Sequence, residues 1–441
     1  MFGLKLNPNT RRKLQRFKSI KRGYYSFLVL VFCVLVAGVG PWLVNSRALI
    51  VKYNGEYFFP TLGRMIPGET FGLDYEYETN YRALQEHFSA EGKGNWVLMP
   101  PIPYDGTEVC EVREALVYQD GRYLTPHDKK PYADGTAYLF HPNGRTQRVW
   151  RVLDGKLHGM MYGYDMHGDL IEKARWIDGK LDHYTPLATG LSKEFTEPRI
   201  DQIQYILPYP NQPGLGGHIL GTDESGHDVT ARLFYGFRVL CIASVIYLAF
   251  TYAIGIVVGC AMGYFGGWVD MVGQRLVEIW SNIPYLYLII FLSSILVPNL
   301  FWLMLIIVAF SWITMTYYMR TGTYREKARE YISATRLLGA GNIRIIFRHI
   351  LPNTLSTIVT FIPFMIAAVV TQLTALDFLG FGLPPTEPSW GEMLRQGTEN
   401  FDSPWILSSV TVCLVVLLVL ITFVGEAIRE AFDPRKFTTY Q

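Results

Sequence analysis

Residues 329–353, REYISATRLLGAGNIRIIFRHILPN, are the part of the sequence best suited to binding another macromolecule. They lie between two apolar runs, yet they are rich in arginine and carry small side chains at 333–335. At helical spacing Tyr331, Ala334 and Leu338 share one face, and Gly339 then ends the helix. The small residues leave room for another protein to approach closely. The chemistry predicted here is therefore mechanical docking rather than catalysis.

A second short helix is expected after this glycine elbow. Its arginines, Arg344 and Arg348, lie on one side, and Pro352 then opens a membrane span, where a missing N–H costs least. The predicted apolar side of this second helix consists of Ile343, Ile346, Phe347 and Ile350. The alternative is a surface helix that merely links two spans.

Two ionisable residues near apolar runs are candidates for function, because charge is costly in lipid and usually has a purpose there. Asp377 lies just before FLGFG, where we expect it to reach water or a partner, or else to contact the amino terminus of a peptide. Glu278 is expected to pair with Arg275 or to lie at the membrane interface.

Enzymatic and metal chemistry have little support in the sequence. There is no G-x-x-x-x-G-K-[ST] loop for nucleotide phosphates, so ATP and Mg²⁺ would have to be bound by a partner chain. Eight of the nine histidines lie in the outer segment between the first two apolar runs, without the tight spacing of metal ligands. No acid and base pair stands out as a glycosidase would need. We therefore predict no catalytic residue, no metal site and no cofactor in this chain.

The elements that position these residues are membrane helices. No charged side chain occurs at 23–46, 239–269, 279–319, 350–376 or 403–425. An apolar helix needs about 20 residues to cross the hydrocarbon layer. The 279–319 run is twice that length and is broken at Pro298-Asn299, so it predicts two spans. The sequence therefore predicts six transmembrane helices, the first an uncleaved anchor rather than a signal peptide.

The distribution of basic residues predicts the orientation of the spans. Residues 1–22 contain eight Lys and Arg without an acid, and residues 320–348 contain seven against two glutamates. Such segments stay cytoplasmic. Six spans place both termini and the 320–348 loop on that side. The near-neutral net charge of +2 gives no indication of nucleic-acid binding.

The segment between the first two spans, 47–218, is long enough to form a domain with its own core. It carries a repeat in which Asp154-Gly155-Lys156-Leu157 recurs as Asp178-Gly179-Lys180-Leu181, and Gly144 recurs as Gly168. Asn-Gly and Asp-Gly pairs favour type I′ hairpin turns. The sequence predicts stacked β-hairpins at 118–185, a unit that resembles short MORN-type repeats. Cys110 is the one cysteine outside the spans, so no disulfide is expected within the insert.

Two further segments frame the spans outside the membrane. The sequence LGTDESGHDVTARLFYGFRVL predicts an amphipathic helix over 219–238, with Asp223 as its N-cap. The loop 379–404 contains Pro384-Pro385 and Pro388, which argue against a regular helix there. The predicted division is a basic tail 1–22, a first span 23–46, an insert 47–218, the amphipathic helix 219–238, a core 239–429 with a coupling loop 325–353 and an outer loop 379–404, and a tail 430–441.

The elbow resembles the EAA loop of ABC importer permeases, in which EAA is followed after three residues by Gly and nine residues later by I-x-L-P. Gly339 and Leu351-Pro352 keep that spacing, whereas Ser333 replaces Glu, Thr335 replaces the second Ala and His349 replaces Ile. In that family the loop is the coupling helix that docks on the ATPase. The resemblance implies coupling roles for Ser333, Ala334, Thr335, Arg336, Gly339, Leu351 and Pro352.

Further motifs over 219–435 narrow the resemblance. LGTDESGHDV, ARLFYGFRV, FLGFGLPP, PSWGEML and GEAIREAFDPR are similar to the C-type permease of dipeptide and oligopeptide importers. RGYYSF, LIVKYNGEYFFP and NWVLMPPI are more similar to the Yej-type branch, whose importers take up peptides and microcin C-like compounds. The hairpin repeats at 118–185 look longer than this branch requires. The resemblance implies binding-protein or substrate-path roles for Asp223, Asp228, Asp377, Gly380, Gly382, Pro384 and Trp390.

The resemblance implies a helical type I ABC importer permease in the bacterial inner membrane, with a periplasmic β-rich insert between its first two helices. Its expected partners are a second, homologous permease, ATP-binding-cassette ATPase subunits, a periplasmic solute-binding protein, a peptide substrate and membrane lipid. The alternatives are a permease for a non-peptide solute such as nickel or an oligosaccharide, a membrane-anchored sensor, and an ion-coupled carrier. A carrier would normally show more spans or inverted repeats within one chain.

Overall fold

The computed structural model describes residues 8–432 except for 74, 93, 127–128, 142–144, 189–193, 196–202 and 296–298, and describes only the backbone at 8–10 and 355–357. The chain divides into two compact units. The helical unit comprises Met1–Gly38 and Leu233–Gln441, and the insert unit comprises Val39–Arg232. The insert unit corresponds to the predicted 47–218 segment, with additional residues at both ends.

The helices are numbered along the chain, and α3 and α4 belong to the insert unit. Within the described ranges they are α1 Pro8–Ser19, α2 Lys21–Gly38, α3 Gly40–Leu43, α4 Tyr81–Glu91, α5 Val229–Phe265, α6 Gly267–Ser281, α7 Tyr285–Ile295, α8 Leu300–Lys327, α9 Glu330–Leu337, α10 Asn342–Ile345, α11 Leu351–Phe378, α12 Trp390–Glu399 and α13 Pro404–Phe432. A π-helix, Ile346–Ile350, joins α10 to α11.

Five helices in the described part of the chain are long and apolar enough to cross a bilayer: α2, α5, α8, α11 from Ile358 onward, and α13. Helices α6 and α7 pass the same test as a pair, although they are bent by 63° at their junction. Counting that pair as one broken span brings the number to six. The chain is therefore a helical membrane protein with five or six apolar spans.

The third span differs from the predicted one. We expected it to begin near 279, but α6 begins at Gly267 and the helical path breaks at 282–284. Pro284 explains the break, because it has no N–H to continue the helical ladder. The predicted turn at Pro298-Asn299 lies partly outside the described residues, although the Asn299 side chain accepts a hydrogen bond from the Trp302 N–H at 3.0 Å and caps α8.

Helices α5 and α8 pack through a seam of three glycines on α5 that the sequence analysis did not identify: Gly255, Gly259 and Gly263. A Cβ at Gly259 would lie 2.6 Å from both the carbonyl oxygen of Thr316 and the Cβ of Met319. Because lipid provides no hydrophobic drive between spans, close backbone approach through small residues is a main source of helix association. We name this contact the glycine seam.

The insert unit is built mainly from antiparallel strands. They are β1 Ile50–Tyr53, β2 Glu56–Phe58, β3 Trp96–Leu98, β4 Arg113–Ala115, β5 Val117–Gln119, β6 Arg122–Leu124, β7 Asp134–Phe140, β8 Thr146–Leu153, β9 Lys156–Leu157, β10 Gly159–Tyr164, β11 Leu170–Ile177, β12 Lys180–Pro186 and β13 Gln204–Ile206. The large sheet has the order β12-β11-β10-β8-β7-β13-β4, with β9 pairing to β8, and a small sheet has the order β2-β1-β3.

The predicted hairpin turns occur in the large sheet. Asp154 and Asp178 have φ of 47°, and Gly155 and Gly179 have φ of 74° and 82°, so both Asp-Gly pairs have the two positive φ values of a type I′ turn. The prediction at Gly144 lies outside the described residues. The hairpins end with β12 at Pro186, close to the predicted 185. Strands β13 and β4 extend the same sheet at its other end, and these short strands lack enough alternation to be recognised in the sequence.

One face of the large sheet is closed by a core containing Trp150, Val152, Met161 and Ala174. Glu172 is 3% exposed within this layer, where the Arg148 Nε lies 2.5 Å from its Oε1. The Tyr184 hydroxyl donates to the other carboxylate oxygen at 2.9 Å. The buried carboxylate therefore has partners for both oxygens, as burial of a charge requires.

The predicted amphipathic helix at 219–238 is present only from Val229 onward, as the start of α5, and is wrong for 219–228. Residues 218–228 form turns, and α5 begins at Val229 and runs without a break to Phe265. Asp228 caps it, because its Oδ1 accepts the Ala231 N–H at 2.6 Å. The predicted cap, Asp223, lies five residues earlier, and its carboxylate accepts the Ser225 and His227 N–H groups within the turn.

Candidate functional site

The candidate site is the elbow formed by α9, Gly339, α10 and the π-helix. Helix α9 ends at Leu337, and Gly339 follows with φ of 80°. A left-handed φ is nearly free for glycine and costly for other residues. Gly341, in contrast, has an ordinary φ of −69° as the N-cap of α10. The predicted glycine elbow is therefore present, with the unusual backbone confined to Gly339.

The inner side of the elbow rests on an apolar cluster. Ile332 of α9, Ile345 of α10 and Ile350 of the π-helix are at most 1% exposed. They join a core that also contains Cys260 and Tyr264 of α5, Met315 and Met319 of α8, and Ile346 and Ile358. Burial of apolar side chains contributes about 25 cal/mol per Å². The cluster therefore fixes the elbow against two spans that the glycine seam already joins.

A polar brace ties the elbow to the end of α5. The Tyr264 hydroxyl donates to Asn342 Oδ1 at 2.8 Å and accepts from Arg336 Nη2 at 3.2 Å. The Arg336 guanidinium carbon also lies 5.6 Å from the centroid of the Tyr264 ring, within cation–π range. Tyr264 thus touches both short helices on either side of Gly339.

A second brace ties the elbow to α8 and α11. The Tyr331 hydroxyl donates to Glu326 Oε2 at 2.7 Å and accepts from Asn353 Nδ2 at 2.8 Å. Arg329 Nε donates to Glu326 Oε1 at 3.0 Å. Side-chain hydrogen bonds thus tie the elbow to three helices, α5, α8 and α11.

The outer side of the elbow presents large apolar side chains to solvent. We name it the elbow patch: Leu337 (89% exposed), Leu338 (88%), Ile343 (76%) and Phe347 (56%). Exposed apolar patches of this kind mark interaction sites. The patch lies within a segment that carries Arg336, Arg344 and Arg348, so charge surrounds the apolar side chains.

The sequence-predicted coupling residues are close to this patch. Ser333, Ala334, Arg336, Gly339 and Pro352 are exposed, and Thr335 and Leu351 are half-buried. The Thr335 hydroxyl donates to the Tyr331 carbonyl at 2.7 Å, which holds that side chain against its own helix.

The expected apolar side of the second helix is only half right. Ile346 and Ile350 face the core, but Ile343 and Phe347 point to solvent and Ile345 takes their place inside. The π-helix at Ile346–Ile350 is the cause, because its i→i+5 bonds widen the turn and rotate the side chains away from the α-helical register.

Asp377 is buried, and the expectation that it reaches water or a partner is wrong. It is 4% exposed, its Oδ1 accepts the Leu383 N–H at 2.8 Å, and its Oδ2 accepts the Ser389 hydroxyl. The carboxylate spans the loop that leaves α11. We name this arrangement the loop clamp.

The other outer-loop candidates surround the loop clamp. Gly380 has φ of 78°, and a Cβ on Gly382 would lie 1.7 Å from Asp377 Oδ1, so both positions require glycine. Pro384 is half-buried in the same turn. Trp390 is 5% exposed, and its Nε1 donates to the Leu233 carbonyl at 2.8 Å. Gly382 and Trp390 are buried and hold the loop in place, whereas Gly380 is exposed and Pro384 is half-buried. A role of these residues in binding-protein or substrate contact stays a prediction.

The prediction that prolines exclude a helix from the 379–404 loop fails after Pro388. Ser389 accepts the Glu392 N–H and begins α12, and Glu392 pairs with Arg395 at 2.6 Å. That bond raises the pKa of the Arg395 guanidinium. Pro384, Pro385 and Pro388 prevent helix formation only in the turn that precedes α12.

We expect Asp377→Ala to loosen the outer loop, because two donors then lose their buried acceptor, at a cost of about 1–3 kcal/mol each. Limited proteolysis of the purified, reconstituted protein should show faster cleavage between 379 and 389. The matched control is Thr386→Ala, which changes an exposed residue in the same turn. Equal cleavage of both variants would show that the clamp does not hold the loop.

Asp223 and Asp228 are also buried, at 0% and 1% exposure. Asp223 pairs with Arg232 Nη1 at 2.5 Å and lies 3.2 Å from His227 Nδ1. Burial alone would raise the pKa of the Asp223 carboxyl, but the His227 hydrogen bond and the Arg232 charge outweigh it and hold that pKa below its usual value. Asp228 pairs with His218 at 2.8 Å. Both acids stabilise the turn before α5 and are not exposed contacts.

Other candidates have ordinary roles. Glu278 pairs with Arg275 at 2.6 Å, as expected. Cys110 is 4% exposed, and burial raises the pKa of its thiol to about 12, so it is an unreactive buried residue. No group of three or more His, Cys, Asp or Glu side chains with metal-site geometry occurs within the residues that the structure places.

Sequence reasoning missed Tyr264 and Asp270. Asp270 of α6 accepts Arg320 Nη2 of α8 at 2.7 Å and the Tyr324 hydroxyl at 2.8 Å. A signal was available for Asp270, since it is an acid at the end of an apolar run and Arg320 and Tyr324 have helical spacing. Nothing in the sequence distinguishes Tyr264 from any other aromatic residue that ends a span.

Residues 255–438 match the family model described as a binding-protein-dependent transport system inner membrane component. The chain is 32% identical over 434 residues to the peptidoglycan transport system permease protein YejE of Agrobacterium fabrum, covering 98% of this chain and 94% of that protein. It is 29% identical over 432 residues to the inner membrane ABC transporter permease protein YejE of Escherichia coli, covering 98% and 99%.

The oligopeptide transport system permease protein OppC of Haemophilus influenzae is 30% identical over 221 residues, which cover 50% of this chain and 71% of that protein. An inward-facing structure of the MetNI methionine ABC transporter overlaps 46% of this chain and 97% of that chain at 19% identity, with a TM-score of 0.39. The two YejE relatives align over nearly the whole chain. That the hairpin repeats are longer than this branch requires stays a prediction.

Proposed function

This chain belongs to the binding-protein-dependent inner membrane permeases of peptide ABC importers, and from this premise we propose that it forms half of a path that carries peptides into the cell. The names of its relatives support peptides, including those that carry peptidoglycan sugars. The elbow would be the contact through which a separate ATPase drives the spans. The chain itself would neither bind ATP nor alter its cargo covalently.

The elbow patch is the observation that carries this proposal. Leu337, Leu338, Ile343 and Phe347, which belong to α9, the turn after it, α10 and the π-helix, are exposed. The inner side of the elbow packs against α5, α8 and α11. Exposed apolar patches mark interaction sites, and a patch on an element braced against three helices suits a contact that moves them. A groove on an ATPase subunit is the occupant that this family uses.

The path itself would be lined by α8, α11 and α13. These helices border a cavity of about 530 Å³ whose walls include Thr314, Tyr318, Phe361, Phe364 and Arg429. Hydroxyl groups, aromatic rings and one arginine suit a substrate with amide groups, apolar side chains and a carboxylate. A small number of such contacts would accept many different peptides, which is consistent with broad selectivity.

We place the chain in the bacterial inner membrane with both termini and the elbow in the cytoplasm, because their basic residues favour that side. The insert unit would then lie in the periplasm. A second, homologous permease would complete a type I importer core, and a periplasmic solute-binding protein would deliver the peptide. That protein would dock on exposed residues of the outer loop and the insert unit.

Alternating access follows from these contacts. ATP would close the ATPase dimer and draw the two elbows together, and the braced spans would rotate to open outward. A ligand can shift such an equilibrium only through different affinity for the two states, and ATP supplies that difference. ATP hydrolysis would then restore the inward-facing state.

Uptake measurements test the function. A strain lacking this chain should fail to accumulate labelled peptides from a library, and the wild-type chain should restore uptake while a Gly339→Trp chain should not. Peptides with and without attached amino sugars would separate the two substrate classes. Unchanged peptide uptake in the deletion strain, together with loss of a metal or oligosaccharide, would contradict the peptide assignment.

We expect Tyr264→Phe to weaken coupling because it removes the hydroxyl that joins α9 to α10 while keeping the ring in the core. Peptide-stimulated ATP hydrolysis by the reconstituted complex should fall roughly two- to tenfold, which corresponds to a total loss of about 0.5–1.4 kcal/mol, the size of one hydrogen bond. Unstimulated hydrolysis should not change.

The control is Tyr287→Phe, which removes a hydroxyl from a side chain that is 74% exposed. Equal stimulation in the wild-type and Tyr264→Phe complexes would show that the brace is not part of the coupling path. The Tyr264→Phe substitution lies in the permease and not in the ATPase, so a change in the affinity of the ATPase for ATP does not offset the lost stimulation.

A further inference from the structure

The large sheet of the insert unit is covered by its core on one face and is accessible on the other. Trp150, Met161 and Ala174 lie on the covered face, and each is at most 2% exposed. Successive side chains of a strand point to opposite faces, so the residues next to these project from the accessible face. We name it the open face and define it by Thr136, Arg151, Met160, Tyr162, Lys173 and Arg175.

The strand register places the two arginines of the open face at equivalent positions. Arg151 of β8 is paired with Thr136 of β7, and Arg175 of β11 is paired with Met160 of β10. Directly paired residues of antiparallel strands project from the same face. Strand β10 lies between β8 and β11, so the two arginines are separated by two strand spacings, about 9–10 Å across the sheet.

Two cavities of similar size lie on the open face. The first, of about 360 Å³, has among its walls Thr136, Val149 and Arg151. The second, of about 370 Å³, has among its walls Met160, Lys173 and Arg175. Each of the three residues in the first cavity lies 24 positions before its counterpart in the second, the interval that also separates the two Asp-Gly turns. The sequence repeat thus produces two adjacent copies of one cavity, each with an arginine.

Each cavity contains an acid beside its arginine. Arg151 donates to both carboxylate oxygens of Asp134, at 3.2 and 3.0 Å, and Arg175 Nε lies 3.9 Å from Asp182 Oδ2. All four side chains are between 46% and 64% exposed. A carboxylate or phosphate ligand would have to displace the acid, whereas a hydroxyl group can accept from the arginine and donate to the acid at the same time. The paired charges therefore favour a neutral, hydroxyl-rich ligand over an anion.

The surface between these charge pairs is apolar. Met160 borders both cavities and is 43% exposed, and Tyr162 lines the first cavity. The Lys173 ammonium lies 6.0 Å from the centroid of the Tyr162 ring, within the range of a cation–π contact. A pyranose ring has C–H groups on its faces and hydroxyl groups at its edge, so it matches an apolar strip with a charge pair on each side.

We propose that the open face binds a neutral oligosaccharide, with different sugar units of one chain in the two cavities. Arg151 and Asp134 bind the hydroxyl groups of one unit, and Arg175 and Asp182 bind those of another. Met160 contacts the chain between them. This site lies wholly within the insert unit, and it depends neither on the transport path nor on the identity of the cargo.

The test uses the full-length chain in its purified transporter, reconstituted into nanodiscs. The probes are cellotetraose and tetra-N-acetylchitotetraose, with glucose and N-acetylglucosamine as the matching monosaccharides. Saturation-transfer difference NMR gives the dissociation constants for the wild type, Arg151→Ala, Arg175→Ala and the double variant. The matched control is Arg122→Ala, which also removes an exposed arginine beside an acid, Asp154 at 3.6 Å, but lies outside both cavities.

We expect at least one tetrasaccharide to bind about tenfold or more tightly than its monosaccharide, because two linked contacts act together. Each single Arg→Ala variant should weaken that binding about fivefold or more, since hydrogen bonds to a charged group are lost. The Arg122→Ala chain should match the wild type.

Three results would overturn the proposal. The first is that neither tetrasaccharide binds the wild type, and the second is that Arg151→Ala and Arg175→Ala bind as the wild type or no more weakly than Arg122→Ala. The third is displacement of the bound sugar by a triglutamate peptide, because the cavities would then select anions. Equal thermal unfolding temperatures of the wild type and the variants exclude misfolding as the cause of lost binding.

Discussion

Gly339→Ala should uncouple peptide delivery from ATP hydrolysis, whereas Gly341→Ala should not. Both glycines have open space where a Cβ would be built, so neither substitution creates a clash. The two positions differ in backbone alone, with φ of 80° at Gly339 and −69° at Gly341. An L-residue in the left-handed region costs about 1–2 kcal/mol. That penalty is released if the elbow unwinds.

The measured quantity is peptide-stimulated ATP hydrolysis in the reconstituted transporter. A penalty of about 1.4 kcal/mol changes an equilibrium tenfold, so stimulation should fall about fivefold or more for Gly339→Ala. Gly339→Trp should abolish it, because the bulky ring also blocks the neighbouring elbow patch. Thermal unfolding of the spans should not change. Equal stimulation by the two alanine variants would show that the elbow tolerates a different backbone and is not a stiff lever.

Gly259→Leu should destabilise the helical unit more than any other single substitution considered for it. The added side chain meets the Thr316 carbonyl oxygen, a backbone atom that no rotamer change can move. Helices α5 and α8 must then separate, which also loosens Gly255 and Gly263. Overpacking of well-packed cores costs about 1–3 kcal/mol. We expect a loss at or above the upper end of that range.

The matched control for the glycine seam is Gly38→Leu, an exposed glycine at the end of α2 with no neighbour within 4 Å of its Cβ position. Thermal unfolding followed by size-exclusion chromatography in detergent should show a large loss for Gly259→Leu and a smaller one for Gly259→Ala. The control should match the wild type. Wild-type stability in Gly259→Leu would mean that α5 and α8 do not rely on close backbone approach.

The sequence predicted the elbow better than it predicted its contacts. A glycine at position 339 indicates a left-handed backbone, and the spacing of the apolar residues on either side predicts two short helices. The π-helix at Ile346–Ile350 has no such signal in the sequence. The side chains that face solvent were therefore assigned to the wrong side at Ile343 and Phe347.

Asp223 and Asp377 show more clearly that the sequence does not predict side-chain contacts. From the sequence, Asp223 and Asp377 resemble exposed polar residues in loops that precede or follow a span. Each is buried because residues four to twelve positions away, such as His227 and Ser389, fold back to donate hydrogen bonds. Local spacing shows that a turn is present, but it does not reveal where a carboxylate points. Because both carboxylates are buried within their own loops, we assign them a role in stabilising those loops.

The spans and the hairpins were predictable for different reasons. A span is a property of one contiguous segment, so counting charges over 20 residues is nearly sufficient. Asp-Gly pairs predict turns because few other residues adopt two positive φ values in succession. Strands β4 and β13 joined the large sheet through contacts between distant segments, Tyr205 with Glu114 for example, and three-residue strands leave no periodic signal.

Photo-crosslinking at the elbow patch tests the central claim most directly. A photoreactive amino acid at position 338, and at position 386 as the control on the outer loop, is introduced into the transporter purified intact from native membranes. The account predicts a covalent adduct between position 338 and an ATP-binding subunit, and none with that subunit from position 386. An intact, active transporter in which position 338 never joins an ATP-binding subunit would contradict the account.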